Sequence, residues 1–167
     1  MPETRKGAMS GYTSWYNYFQ DINEEIILRD LDALDPYKEQ VNIFQIDDGY
    51  ETFIGDWLDP NPAKFPHGMK YIADRVHEKG YKAGIWLAPF NCQKISRMAK
   101  EHPDWLIKDT DGKPMVGCLA WGGAYTFDIY NEEVREYLKK VFDVVLNEWG
   151  YDMVKLDFLY SQCIKPR

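Results

Sequence analysis

The sequence predicts an α/β fold on a parallel sheet, and two observations carry that prediction. Short β-branched and aromatic runs alternate with amphipathic helical stretches, which implies parallel strands joined by right-handed crossovers. The residues that break the apolar pattern, namely carboxylates, a lysine and tryptophans, fall where the strands end.

The first strand is expected over residues 10–16, SGYTSWY, and Trp15 and Tyr16 stand at its end. A helix follows Asp21, with Glu24 three residues on in a capping-box arrangement. Ile22, Ile26, Ile27, Leu31 and Leu34 form its apolar face, and Pro36 ends it. Residues 41–46, VNIFQI, make a second strand running straight into Asp47-Asp48-Gly49-Tyr50. After a polar loop carrying Trp57, residues 68–79 form a helix with Met69, Ile72, Ala73 and Val76 on one face and Gly80 at its stop.

A third strand spans 82–88, KAGIWLA, and is cut by Pro89. A short helix is expected over 93–101, then an irregular segment over 104–125 with a DTDGKP turn and a Trp121-Gly-Gly tip. Asn131 caps a last helix, which turns Val134, Leu138, Val141 and Val145 inward and stops at Gly150. The fourth strand, 153–158, lies in YDMVKLDFLY. Alternation puts Lys155 and Asp157 on one of its faces, where two buried charges must be paired or used. A structural ion pair is the plain alternative. Residues 1–8 are polar and expected to be loose.

Two architectures fit this order: a doubly wound open sheet, or part of an eight-stranded barrel. No glycine-rich phosphate loop follows the first strand. Trp15-Tyr16-Asn17 stands there instead, which argues against nucleotide binding.

At 167 residues the chain is long enough for one domain with a real core, and 45% apolar content excludes a disordered chain. A net charge of -7 argues against a nucleic-acid partner. No Lys/Arg run, apolar h-region or membrane-length apolar run is present, so no membrane partner is expected. Cys92, Cys118 and Cys163 are far apart and odd in number, and His67, His77 and His102 are scattered, so no zinc site is expected. The thiols are expected to be free in a reducing compartment, the cytoplasm.

The strand-end residues form a candidate site: Trp15 after the first strand, Asp47 and Asp48 after the second, Trp86 in the third, Lys155 and Asp157 in the fourth. That is the end of a parallel α/β sheet where sites are built. Asp-Asp-Gly is also a good turn, and a lone Trp86 would pass for core. Trp57, a large aromatic in a polar loop, is expected to cover a ligand. Carboxylates with aromatic platforms suit sugar chemistry: carboxylates accept hydroxyl donors, indoles pack on a pyranose face, and a strand-end carboxylate can attack an anomeric carbon. Lys155 is expected to keep Asp157 ionised. A metal site from Asp47, Asp48 and Asp157 would lack accompanying histidines.

Several stretches resemble the catalytic barrel of the melibiase-type retaining α-galactosidases. They are Trp15-Tyr16-Asn17-Tyr18-Phe19 with Asp21, Phe44-Gln45-Ile46-Asp47-Asp48-Gly49-Tyr50, Ile54-Gly55-Asp56-Trp57, Phe65-Pro66, Gly84-Ile85-Trp86-Leu87-Ala88-Pro89-Phe90, His102-Pro103-Asp104-Trp105 and Lys155-Leu156-Asp157-Phe158. The resemblance implies that Asp157 is the nucleophile and that Asp47, Asp48 and Lys155 bind galactose hydroxyls. Trp15, Trp57, Trp86 and Trp121 would line the sugar pocket, with no metal or organic cofactor.

In that family the general acid/base is an aspartate on a later strand. A full (β/α)₈ barrel takes about 250 residues, so the resemblance implies a (β/α)₄ half-barrel, the first half of a TIM-type barrel. Such a half would bind galactose or an α-galactoside but, lacking the acid/base, hydrolyse weakly or not at all. The alternative is a non-catalytic half-barrel, at most a weak galactose-binding module. Open sheet edges would favour a homodimer or higher oligomer.

Overall fold

The computed structural model describes residues 9–164, and the expectation for residues 1–8 lies outside them. In chain order its elements are β1 (Gly11–Thr13), α1 (Trp15–Tyr18), α2 (Glu24–Ala33), β2 (Ile43–Ile46), α3 (Gly68–Glu78), β3 (Lys82–Leu87) and β4 (Asn91–Gln93). There follow α4 (Arg97–Glu101), β5 (Val116–Cys118), β6 (Ala124–Thr126), α5 (Glu132–Asp143) and β7 (Met153–Leu156). Four strands form a parallel sheet in the order β1-β2-β3-β7, as the alternation predicts. Ile46 lies opposite Ile85, and Trp86 opposite Lys155.

The period-2 pattern divides the sheet into two faces. Phe44, Ile46, Ala83, Ile85 and Leu87 share one core with Ile27 and Leu31 of α2, Met69, Ile72 and Val76 of α3, and Val141 of α5. Each large side chain fully buried there contributes about 1.5–3 kcal/mol, so this layer carries most of the stability of the frame. Gln45, Gly84, Met153 and Lys155 occupy the alternate positions. That face is narrow at Gly84, where an added Cβ would stand 3.0 Å from Met153 Cε and 3.1 Å from Gln45 Cγ. β7 pairs only with β3, so it is an edge among the described strands, and Leu156 at its end is 46% exposed.

Three local expectations change. The first strand ends at Thr13 rather than Tyr16: Ser14 N–H donates to Gln45 O, and the chain turns at once into the single helical turn of α1. The cap of α2 is Asn23, whose side chain accepts the Ile26 N–H at 2.8 Å, not Asp21. Glu24, expected in a capping box, instead accepts from His67, at 3.2 Å from the backbone N and 2.6 Å from Nδ1. Asn131 does cap α5 as expected, accepting from Glu133 N–H.

The third change is the largest. The stretch expected as a helix from residue 93 opens as strand β4, and α4 begins only after Ser96, whose hydroxyl accepts the Ala99 N–H. The segment expected to be irregular supplies β5 and β6, which with β4 make an antiparallel sheet in the order β4-β6-β5. Asn91 pairs with Thr126 across some thirty residues, and the strands are only three residues long. Neither the length nor the pairing distance leaves a local signal.

If Asn23 is the cap, Asn23→Ala lowers the urea-unfolding free energy by about 1 kcal/mol. Asp21→Ala should stay within about 0.5 kcal/mol of the parent. Equal losses would return the cap to Asp21.

Candidate functional site

A cleft of about 400 Å³ opens at the C-terminal ends of the parallel strands. Of the residues singled out from sequence, Trp15, Asp47, Asp48, Trp86, Trp121, Lys155 and Asp157 line it, joined by Gln20, Ala120 and Phe158. Trp57 is absent from that lining. It is fully buried and meets Trp86 edge-on at 5.8 Å, so it braces the wall from behind instead of covering a ligand. Its loop is pinned by Asp56, which is buried and accepts the Arg97 and Met98 N–H groups at the start of α4. Asp56, beside Trp57 in that polar loop, thus serves the start of α4, and the expected ligand-covering role of Trp57 is not what its burial shows. Tyr16, expected at the end of the first strand, lies in α1 outside the cleft lining and is 82% exposed.

The charged floor is tightly held. Asp47 is 1% exposed and its Oδ2 accepts from Lys155 Nζ at 2.9 Å, Gln45 Nε2 at 2.8 Å and Thr13 Oγ1 at 3.3 Å. Its backbone N–H donates to the Ser14 hydroxyl, and its Oδ1 accepts the Asp48 N–H. Asp48 Oδ2 accepts from Gln20 Nε2 at 2.8 Å and from Trp121 Nε1 at 2.9 Å. Gly49 makes this approach possible: its φ of +117° suits glycine, and an added Cβ would lie 2.5 Å from Gln20 O.

Asp157 follows the last residue of β7 but stays in the ladder, its N–H donating to Leu87 O at 2.9 Å. One carboxylate oxygen accepts from Trp86 Nε1 at 3.2 Å and the other from the Phe158 N–H at 2.8 Å. Lys155 Nζ stands 3.7 Å from Asp157 Oδ2, farther than from Asp47. The lysine expected to serve Asp157 therefore serves the buried Asp47 first. The burial contrast explains this: the Asp47 side chain is 2% exposed and that of Asp157 40%. The carboxylate with less access to water needs the counterion more. Asp157 is left open to the cleft.

An aromatic wall faces these carboxylates, with Trp86 and Trp121 centroids 6.0 Å apart and Trp121 and Phe158 4.8 Å apart. Trp121 is delivered by the antiparallel sheet, whose β5 and β6 flank it. The non-glycine residues with positive φ among those described are Phe19, Trp121 and Phe158, at 51°, 54° and 52°. Two of them line the cleft, and the third, Phe19, is exposed and directly precedes Gln20, which lines it as well. Backbone held in sparsely populated conformations collects at binding sites, where the surrounding structure enforces it.

Gln20 and Phe158 were not picked out as site residues from sequence. Gln20 carries no local signal, because what brings it to Asp48 is the turn at Gly49. Phe158 stood beside Asp157 in sequence, but only its left-handed backbone turns the ring onto Trp121.

Among the described residues no group of three or more His, Cys, Asp or Glu side chains is arranged to hold a metal ion. His67 and His77 pair with Glu24 and Asp152, and His102 stacks on Trp105. Burial pushes the Cys92 thiol up to about 12, which leaves it unreactive at neutral pH. No helix of the described residues is long and apolar enough to cross a membrane.

Removing the ammonium tests the floor. Lys155→Met is expected to lower stability at neutral pH by about 1–3 kcal/mol, since it strands the buried Asp47 charge. A double-mutant cycle with Asp47→Asn should return a coupling above about 0.5 kcal/mol. A coupling near zero would mean that solvent screens the pair.

Comparison with known proteins gives these residues a context. Residues 12–162 match the family model described as Melibiase. Among curated relatives, alpha-galactosidase Mel36A of Lactobacillus acidophilus is 29% identical over 151 residues, covering 86% of this chain and 20% of that protein. The A type blood alpha-D-galactosamine galactosaminidase of Flavonifractor plautii is 29% identical over 152 residues, covering 85% of this chain and 14% of that protein. Among solved structures, the Thermus thermophilus α-galactosidase TtGalA, in complex with p-nitrophenyl alpha-D-galactopyranoside, superposes with a TM-score of 0.84 at 39% identity. The match covers 92% of this chain and 32% of that one. The chain thus spans a third or less of the length of each of these proteins. The match over residues 12–162, on a parallel α/β sheet, places the chain in the melibiase family, as a part of the α-galactosidase barrel from its N-terminal side.

Proposed function

We propose that this segment forms the galactose-recognising side of an α-galactosidase site, with Asp157 as the nucleophile. The observation that carries the reading is the open Asp157 carboxylate. It is aimed by Trp86 Nε1 and the Phe158 N–H and stands beside an ammonium that belongs chiefly to another carboxylate. The TtGalA complexes with p-nitrophenyl alpha-D-galactopyranoside and with stachyose add support, because that fold holds α-galactosides.

In this reading the sugar enters with hydroxyls toward Asp47, Asp48 and Lys155, and its apolar face lies against Trp86 and Trp121, with Trp15 at the rim. Trp57 contributes only by holding Trp86 in place. An Asp157 oxygen attacks the anomeric carbon, the bond to the leaving oxygen breaks, and a galactosyl ester forms on Asp157. Water then cleaves the ester. The first step needs a proton for the leaving oxygen, from a second carboxyl about 5 Å from the nucleophile. The other carboxyls lining the cleft are Asp47, tied to Lys155, and Asp48, tied to Gln20 and Trp121. Neither is free to act as that donor. The described residues by themselves therefore favour donors whose leaving group departs without protonation.

A second reading, a folded galactose-binding half with no catalysis that pairs with a second copy of itself, has its own support. β7 has one open side among the described strands, and an apolar groove runs between Phe90, Ile129, Leu138, Phe142 and Leu146. Unpaired edges and contiguous apolar surface favour association. Free thiols at Cys92, Cys118 and Cys163 support a reducing setting such as the cytoplasm.

A 2-fluorinated α-galactosyl donor with an activated leaving group should label Asp157, detected by peptide mass. Asp157→Ala should abolish both the label and any turnover. Turnover equal in parent and Asp157→Ala would sink the nucleophile assignment. In sedimentation, the chain should associate at micromolar concentration, and a Leu156→Glu variant should weaken that association. A clean monomer in both would refute pairing through β7.

A further inference from the structure

Behind the cleft lies a second, more polar recess of about 260 Å³, and Asp48 belongs to both. Asp48 is 2% exposed, and its Oδ2 faces Gln20 and Trp121. Its other oxygen, Oδ1, is buried and meets no N–H or O–H donor among the described residues. Glu51, 7% exposed, lines the same recess as Asp48, from which only Gly49 and Tyr50 separate it in the chain. The main chain holds Glu51 there through a bridge to Pro60, and its Oε2 accepts only a long 3.4 Å bond from the Gly49 N–H.

Two carboxyl groups lining one buried recess, out of water, cannot both carry charge at modest cost. The donors decide which of them keeps the proton. Asp48 Oδ2 accepts two well-formed N–H bonds. Glu51 has one poor one, and burial together with the Asp48 charge pushes its carboxyl well above the usual carboxylate range. The other charged or titratable groups around it do not alter the balance. The Tyr50 phenol is itself buried. Lys64 lines the recess, but its ammonium donates to the carbonyls of Gln20 and Gly49. Asp47 is neutralised by Lys155.

We propose that Glu51 is a positioning residue that stays protonated at neutral pH and donates its O–H to Asp48 Oδ1, holding Asp48 as a fixed anion facing the cleft. One proton is shared along this contact and no other bond changes. The consequence for ligand binding rests on the reading of Asp48 as a sugar-hydroxyl acceptor; the shared proton does not. The folded state binds a proton that the unfolded chain releases above its own ordinary carboxyl pKa. Stability from this contact is therefore complete below that pKa and is lost as pH rises through the higher folded value. Once Glu51 ionises, two anions face each other and Asp48 shifts.

The test is a carbon-detected NMR titration of the whole chain with labelled glutamate, using Glu51→Gln to assign the signal. Glu51 should still be protonated at neutral pH, and Asp48→Asn should move its titration down toward the ordinary range. The melting temperature of the parent should fall between mildly acidic and mildly alkaline pH more than that of Glu51→Gln. Galactose affinity, measured by calorimetry, should fall over the same interval in the parent but not in Glu51→Gln. A Glu51 signal that titrates in the ordinary carboxylate range, in parent and Asp48→Asn alike, overturns the proposal. A protonated Glu51 in a chain that binds no galactose sustains the shared proton and overturns the sugar reading of Asp48 instead.

Discussion

The contact between Lys155 Nζ and Asp47 Oδ2, at 2.9 Å, is the constraint on which the rest of the site depends. It ties the end of β7 to the end of β2 across the intervening β3, and it does so over a carboxylate almost out of water. A charge so placed would be costly alone, and Gln45 and Thr13 from the first two strands, with the Asp48 N–H, complete its shell. Because those partners come from different strands, the register of the parallel sheet and the geometry of the floor are one problem. A slip of one residue in β7 would turn both Lys155 and Asp157 to the helix-packed face.

Around that floor the tryptophans divide the work by depth. Trp57 is buried and braces Trp86, Trp86 donates to Asp157, and Trp121 donates to Asp48 while forming the wall. Trp86 and Trp121 thus each offer the cleft a flat apolar surface with the one polar atom already tied to a carboxylate. This fixes ring and carboxylate together, as a site needs if its groups are to stand in place before a ligand arrives. Trp121 and Phe158 complete the wall in left-handed backbone that only the surrounding packing sustains.

Strand faces and helix faces were legible because each is written locally. The alternation of Phe44-Gln45-Ile46-Asp47 and the 3.6-residue spacing of Ile27, Leu31 and Leu34 need no distant partner to be recognised. The antiparallel sheet was not legible. Its three-residue strands pair Asn91 with Thr126, and nothing in either neighbourhood announces the other. Asp21 was expected to cap α2, but Asn23 does, and the Glu24 expected in the capping box is drawn to His67, a residue more than forty positions away. Trp57 was misjudged for a related reason: the polarity of its loop serves the capping of α4, not solvent.

By itself the sequence determined the parallel α/β frame, the end of the sheet where chemistry gathers, and most of the side chains that meet there, because periodicity and residue type are local properties. Tertiary structure alone decided how those side chains are shared. It gave Lys155 to Asp47 before Asp157, set Trp57 behind Trp86, brought Gln20 beside Asp48, and buried Glu51 in the same recess as a second carboxyl. Each of those outcomes turns on which group has lost its water and which donor is nearest, and both are properties of the packed chain.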